Sequence, residues 1–153
     1  MNNNSIKFVA SFFIFMLTIF ELQAANEKPI VTQMVNQQIV AINAYDSVAY
    51  FTQDKAVKGT SEFSVQYLGV NWYFSNEVNK QLFENNPEKY APQFNGHCAN
   101  GLSDGHQVPG NPKYFRIIDD KLYFFYSKWG RLQWQINQPE QIKLANEYWE
   151  SNN

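Results

Sequence analysis

Two stretches of this chain place apolar-rich segments on both sides of a short turn, the first with alternating apolar and polar side chains, and that pattern restricts the fold more than any other feature. Phe63, Val65 and Tyr67 alternate with Ser64 and Gln66, Leu68-Gly69 reverses the direction, and Val70 to Phe74 returns. Tyr114 to Ile118, the pair Asp119-Asp120 and Leu122 to Tyr126 form a second apolar-turn-apolar arrangement without strict alternation. A period of two puts successive side chains on opposite faces, so the first stretch predicts a half-buried β-hairpin, and the two runs about the Asp119-Asp120 turn predict a second. Both hairpins in one antiparallel sheet, with helices packed on one side, give a small single domain of the α+β class.

The helical segments are marked by caps and prolines. Asp46 precedes Ser47 to Phe51 as an N-cap for one helical turn. Ser75 or Asn76 can cap a helix whose apolar face would hold Val78, Leu82 and Phe83, and Pro87 ends it or opens another turn. Ser127 precedes a terminal helical region with Trp129, Leu132, Trp134 and Ile136; Pro139 interrupts it, and Ile142, Leu144, Ala145, Tyr148 and Trp149 continue it. Between Ala91 and Pro112 lie four glycines and few apolar residues. Long segments without regular structure are often functional loops.

Lys7, an apolar run from Phe8 to Phe20 broken by Ser11 and Thr18, and Glu-Leu-Gln-Ala-Ala form the three-part pattern of a secretory signal peptide, with cleavage expected after Ala24. The run is shorter than the ~20 residues of a spanning helix, so no stable membrane span is expected once residues 1–24 are removed. Residues 25–38 read as a mobile lead-in and 39–153 as the domain, a length that suits one core. Lys7 and Glu21 leave together, so the net charge stays at −2. That balance, without a basic cluster, argues against nucleic acid as a partner. No protein partner is named by the sequence. Export places the chain in the periplasm or outside the cell, where cysteine pairs become disulfides. Its single cysteine, Cys98, has no internal mate and must be shielded, ligated or paired between molecules.

Cys98 is flanked by His97, with His106 eight residues on. Thiolate and imidazole suit zinc or copper, so Cys98, His97 and His106 are the candidate metal ligands. Against this, adjacent side chains in extended chain point apart, and no second cysteine supplies the close ligand pair usual in zinc sites. Cys98 can equally be a buried small hydrophobe, or a nucleophile activated by His97 or His106. Ser103, Asp104 and His106 share residue types with a catalytic triad, but near-adjacent loop residues seldom face one another. Trp72, Tyr73, Tyr90, Phe94, Tyr114 and Tyr126 could line a ligand pocket, although alternation on hairpins makes core the commoner use.

Tyr45-Asp46-Ser47-Val48-Ala49-Tyr50-Phe51, Lys55 to Gly59, Tyr67-x-Gly69, Trp72-Tyr73-Phe74, Phe83, Pro87-x-x-Tyr90-Ala91-Pro92, Gly96-x-Cys98-Ala99 and Lys121-Leu122-Tyr123 together resemble the exported, single-domain YHS-domain proteins of bacteria. The resemblance runs over nearly all of the mature chain. It implies an α+β domain related to treble-clef-like metal-binding modules that accompany copper-transporting ATPases and other metal-handling proteins. Those relatives carry two cysteines in a Tyr-Phe-Cys-x-x-x-Cys arrangement, where this chain has Ser75 and Asn79. The literal Tyr-His-Ser triplet is absent too, and the relatives' metal site does not carry over.

The resemblance therefore implies a periplasmic binding or accessory module, connected to metal handling through copper or zinc and without an established catalytic activity. Two other expectations stand beside it. One is a thiol-dependent enzyme or redox protein using Cys98; the other is a protein-interaction module that docks through the aromatic helical region from Trp129 to Trp149.

Overall fold

The computed structural model describes residues 29–152; the expected signal peptide, 1–24, lies outside them. Residues Ile30–Asn152 form one unit of the α+β class. Strands β1 (Thr32–Val35) and β2 (Gln38–Ala41) make a hairpin, β3 (Thr60–Tyr67) and β4 (Val70–Phe74) a second, and β5 (Asn111–Ile118) and β6 (Lys121–Phe125) a third. Helices α1 (Ala49–Gln53), α2 (Glu77–Asn85), α3 (Pro87–Tyr90), α4 (Ala99–Ser103), α5 (Lys128–Trp134) and α6 (Gln138–Ser151) complete it. Among the described residues, no helix is long and apolar enough to cross a membrane.

Both expected hairpins form, Tyr67 pairing with Val70 across one turn and Ile118 with Lys121 across the other. They do not share a sheet. The first joins β1 and β2 in a four-stranded sheet of order β1-β2-β4-β3, and β5-β6 stands apart. Nor is the larger sheet purely antiparallel, because β2 runs parallel to β4 where Val40 faces Asn71. The lead-in expected over 25–38 is corrected as well: its later part holds β1, which pairs Met34 with Ile39 across the turn Asn36-Gln37. Both turn residues have positive φ, 48° and 66°, which matches the right-handed twist of a two-residue hairpin.

Asp46 caps α1 as expected, its Oδ1 accepting from the N–H groups of Val48 (3.0 Å) and Ala49 (3.1 Å). Asn76 caps α2 by accepting from Asn79 N–H at 2.9 Å. Phe83 of that helix is fully buried, but Val78 is 67% exposed and Asn79 takes the inward place. Pro87 opens α3 and Pro139 opens α6, where a missing N–H costs nothing. Ser127 Oγ accepts from Gly130 N–H and caps α5.

Two cores result. Tyr50, Trp72, Phe74 and Phe83 centre the first, between the larger sheet and α1–α3; Phe125, Trp134, Leu102 and Ala145 centre the second, between β6 and α4–α6. Tyr50 belongs to the first core, with its hydroxyl donating to Pro112 O at 2.9 Å, and burial holds that hydroxyl far above the ordinary phenol range.

Two short turns in left-handed backbone connect these parts. Ile42, Asn43 and Ala44 all have φ between 44° and 60°, and Phe94, Asn95 and Gly96 follow suit at 51° to 85°. The two are tied through Val31, whose N–H donates to Asn95 O while its own O accepts from Ile42 N–H. Positive φ at a β-branched residue such as Ile42 is strained, and only surrounding contacts hold it.

Candidate functional site

Cys98 sits where the second left-handed turn gives way to α4. Its N–H donates to Val108 O, and its backbone bridges to Phe124 of β6. The side chain is 3% exposed and acts as the N-cap of α4: Sγ accepts from Gly101 N–H at 3.3 Å and from Tyr126 N–H at 3.1 Å. A sulfur at this place is held by two backbone donors from two different elements.

Above it opens a cleft of about 290 Å³, lined among others by Asn100, Asp104, His106, Tyr126, Trp129 and Gln133. Tyr126 and Trp129 are 67% and 69% exposed, large aromatic faces presented at the rim. Apolar walls with a few placed polar groups are the usual make-up of a small-molecule seat.

The three proposed metal ligands are not gathered into one ligand set. His97 is buried, and both of its ring nitrogens are engaged, Nδ1 with Phe94 O and Nε2 with the Gln107 amide, each at 2.9 Å. These partners fit a neutral imidazole that donates from Nδ1 and accepts at Nε2. His106 lies on the cleft wall with Cys98, without His97. Among the described residues, no group of three or more His, Cys, Asp or Glu side chains could hold a metal ion. The donors present therefore do not fit a closed zinc or copper site.

Burial lowers the His97 pKa, an effect the hydrogen bond to Phe94 partly offsets. The unfolded chain then takes up the proton first. Stability is complete above the ordinary imidazole value of about 6.5 and declines as pH falls through the window down to the folded value. Thermal unfolding is expected to show this: the stability advantage of the wild type over His97→Gln shrinks between about pH 8 and about pH 5. An advantage constant with pH would count against the burial effect.

Ser103, Asp104 and His106 form no triad. The Ser103 hydroxyl bonds to Gln141 Oε1 (2.6 Å) and Asn100 O (2.9 Å), and Asp104 accepts from Asn100 Nδ2. Of the six aromatics weighed as a pocket, Trp72, Tyr73, Tyr90 and Phe94 are core, while Tyr126 lines the cleft and both Tyr114 and Tyr126 line a neighbouring groove. In the helical region considered for docking, Trp134 is fully buried and Trp129 is not.

A second polar centre lies at the end of β4. Asp46 is wholly buried, and its Oδ2 accepts from Ser75 N–H (2.8 Å), Ser75 Oγ–H (2.6 Å) and Asn79 Nδ2–H (2.7 Å). Ser75 and Asn79 are the positions where the resemblance implies cysteines. Here they donate to a carboxylate, which closes the same junction of hairpin and helix with hydrogen bonds. Gln107, Gly101 and Gln133 carried no signal in the sequence, because each matters only through a fold-made neighbour.

Compared with known proteins, residues 48–94 match the model of the YHS domain family. The match ends before Cys98, so the cleft lies outside it. No curated protein and no solved structure matches the chain.

Proposed function

We propose, from the premise that the chain carries a YHS domain over residues 48–94, that it is an exported binding module whose ligand seat is the cleft above Cys98. The observation that carries the reading is the cleft itself: a single thiol at its floor, polar groups on its walls and two exposed aromatics at its rim. Export is supported by the leader pattern of residues 1–24.

A YHS domain suggests a metal-related role. In this cleft the soft donors are Sγ of Cys98 and the imidazole of His106, two where a closed zinc site takes four. The seat is accordingly read as one for a small organic ligand. Small aromatic fragments titrated into isotope-labelled protein are expected to shift the amide signals of Gly101, Tyr126 and Gly130 together, and Trp129→Ala to weaken that response. Shifts scattered over the surface, or none, would remove the cleft from the reading. Zinc and cuprous ions at micromolar concentration are expected to leave the chain without stoichiometric uptake. One tightly held ion, lost in Cys98→Ser, would return the site to metal handling.

The two backbone N–H groups on Sγ favour a second reading, thiol chemistry, because they hold the sulfur in one place on the wall of the cleft. It requires fast alkylation of the folded protein by iodoacetamide. A thiol that reacts only after denaturation excludes it.

A further inference from the structure

Beside the Cys98 cleft, and on independent grounds, a wider groove of about 620 Å³ runs between the first left-handed turn and the start of β5. Lys58 and Lys113 both line it, together with Asn43, Tyr45 and Tyr114, and no aspartate or glutamate does. Two cations thus share one opening without a carboxylate between them, in a chain whose net charge is −2.

Lys58 is exposed but tethered. Its backbone bridges to Tyr45, its ammonium donates to Asn43 O, and it lies 4.1 Å from the centre of the Tyr45 ring. Burial, and after it the charge of Lys113, lowers its pKa. The carbonyl it grips belongs to the strained turn Ile42–Ala44, which is held in left-handed backbone at three successive residues. Strain of this sort persists where a site over-determines it, ligand clamps among them. An ammonium fixed in advance gives up little freedom on binding, and a bound anion relieves the repulsion between the two lysines.

We propose that this groove is a binding site for a small oxyanion, a carboxylate or phosphoryl group held between the ammonium groups of Lys58 and Lys113. Lysine suits such a role as a point charge with several donors. The inference does not rest on the reading of the Cys98 cleft, and either can fail alone.

The test is a titration of isotope-labelled protein with inorganic phosphate and, separately, acetate, each against potassium chloride at matched ionic strength. Saturable shifts are expected at the amides of Asn43, Lys58 and Lys113, and the stronger of the two anions identifies the head group. Lys58→Gln, which keeps a donor for Asn43, and Lys113→Gln should each weaken binding roughly tenfold, the loss expected for one charge-assisted contact. Lys121→Gln, a change outside the groove, should leave it unaltered. The proposal is overturned if chloride reproduces the shifts, if neither anion saturates, or if Lys121→Gln weakens binding as much as the groove variants.

Discussion

Asp46→Ala is expected to destabilise the fold by about 3–5 kcal/mol, because it strands five donors at once around a wholly buried side chain. Two of them are the N–H groups of Val48 and Ala49 at the entry to α1; the others are Ser75 N–H, Ser75 Oγ–H and Asn79 Nδ2–H. A domain with about 5–15 kcal/mol in hand would lose much of its margin. Asp46→Asn keeps one acceptor oxygen but sets an amide N–H₂ where a carboxylate oxygen accepted, so it should fall between wild type and Ala. Urea unfolding of the three proteins measures the series. A loss under about 1 kcal/mol for Asp46→Ala would mean that the donors find other partners, and that the hub does not hold the hairpin to its helix.

Phe83→Ala is the second change with a large expected effect. Phe83 is fully buried, with its ring centre 4.9 Å from that of Trp72, 5.0 Å from Phe74 and 5.6 Å from Tyr67. Truncation removes the ring from three partners and leaves a cavity that stiff neighbouring rings cannot close. The expected cost is about 3–5 kcal/mol. Phe83→Leu refills much of the volume and should lose clearly less. The change is readable in the unfolding midpoint and in the emission of Trp72, which should move to longer wavelength in the Ala variant as water reaches the ring. Equal losses for Ala and Leu would show that ring stacking, rather than volume, carries the contribution.

Elements governed by local chemistry were legible in the sequence. Alternation marked the hairpin of β3-β4 and the Asp119-Asp120 turn that of β5-β6, while Ser127 marked a helix start and Pro87 and Pro139 marked breaks that prove to be the first turns of α3 and α6, because caps and prolines act within a few residues. The β1-β2 hairpin was hidden, since Asn36 and Gln37 take its positive-φ positions without the glycine that advertises such turns. The inversion at α2, with Val78 out and Asn79 in, is set by a bond to Asp46 from 33 residues away. No helical periodicity could register it.

The site was legible only as residue types. Cys98 and His106 do share a cleft. Adjacent in sequence, His97 and Cys98 serve different ends: Phe94 and Gln107 engage the imidazole, while Gly101 and Tyr126 engage the sulfur. Lys58 and Lys113 are 55 residues apart and carried no pattern at all until the fold brought them to one groove.

Tyr126 stands on a boundary. With Ser127 it lines both the groove and the cleft, and its backbone N–H is one of the two donors on the Cys98 sulfur. Any displacement of this one residue by a molecule in the groove would change the hydrogen bonding of a thiol in the adjoining compartment. One backbone N–H thereby joins the sulfur to a neighbouring opening that the sulfur itself does not line.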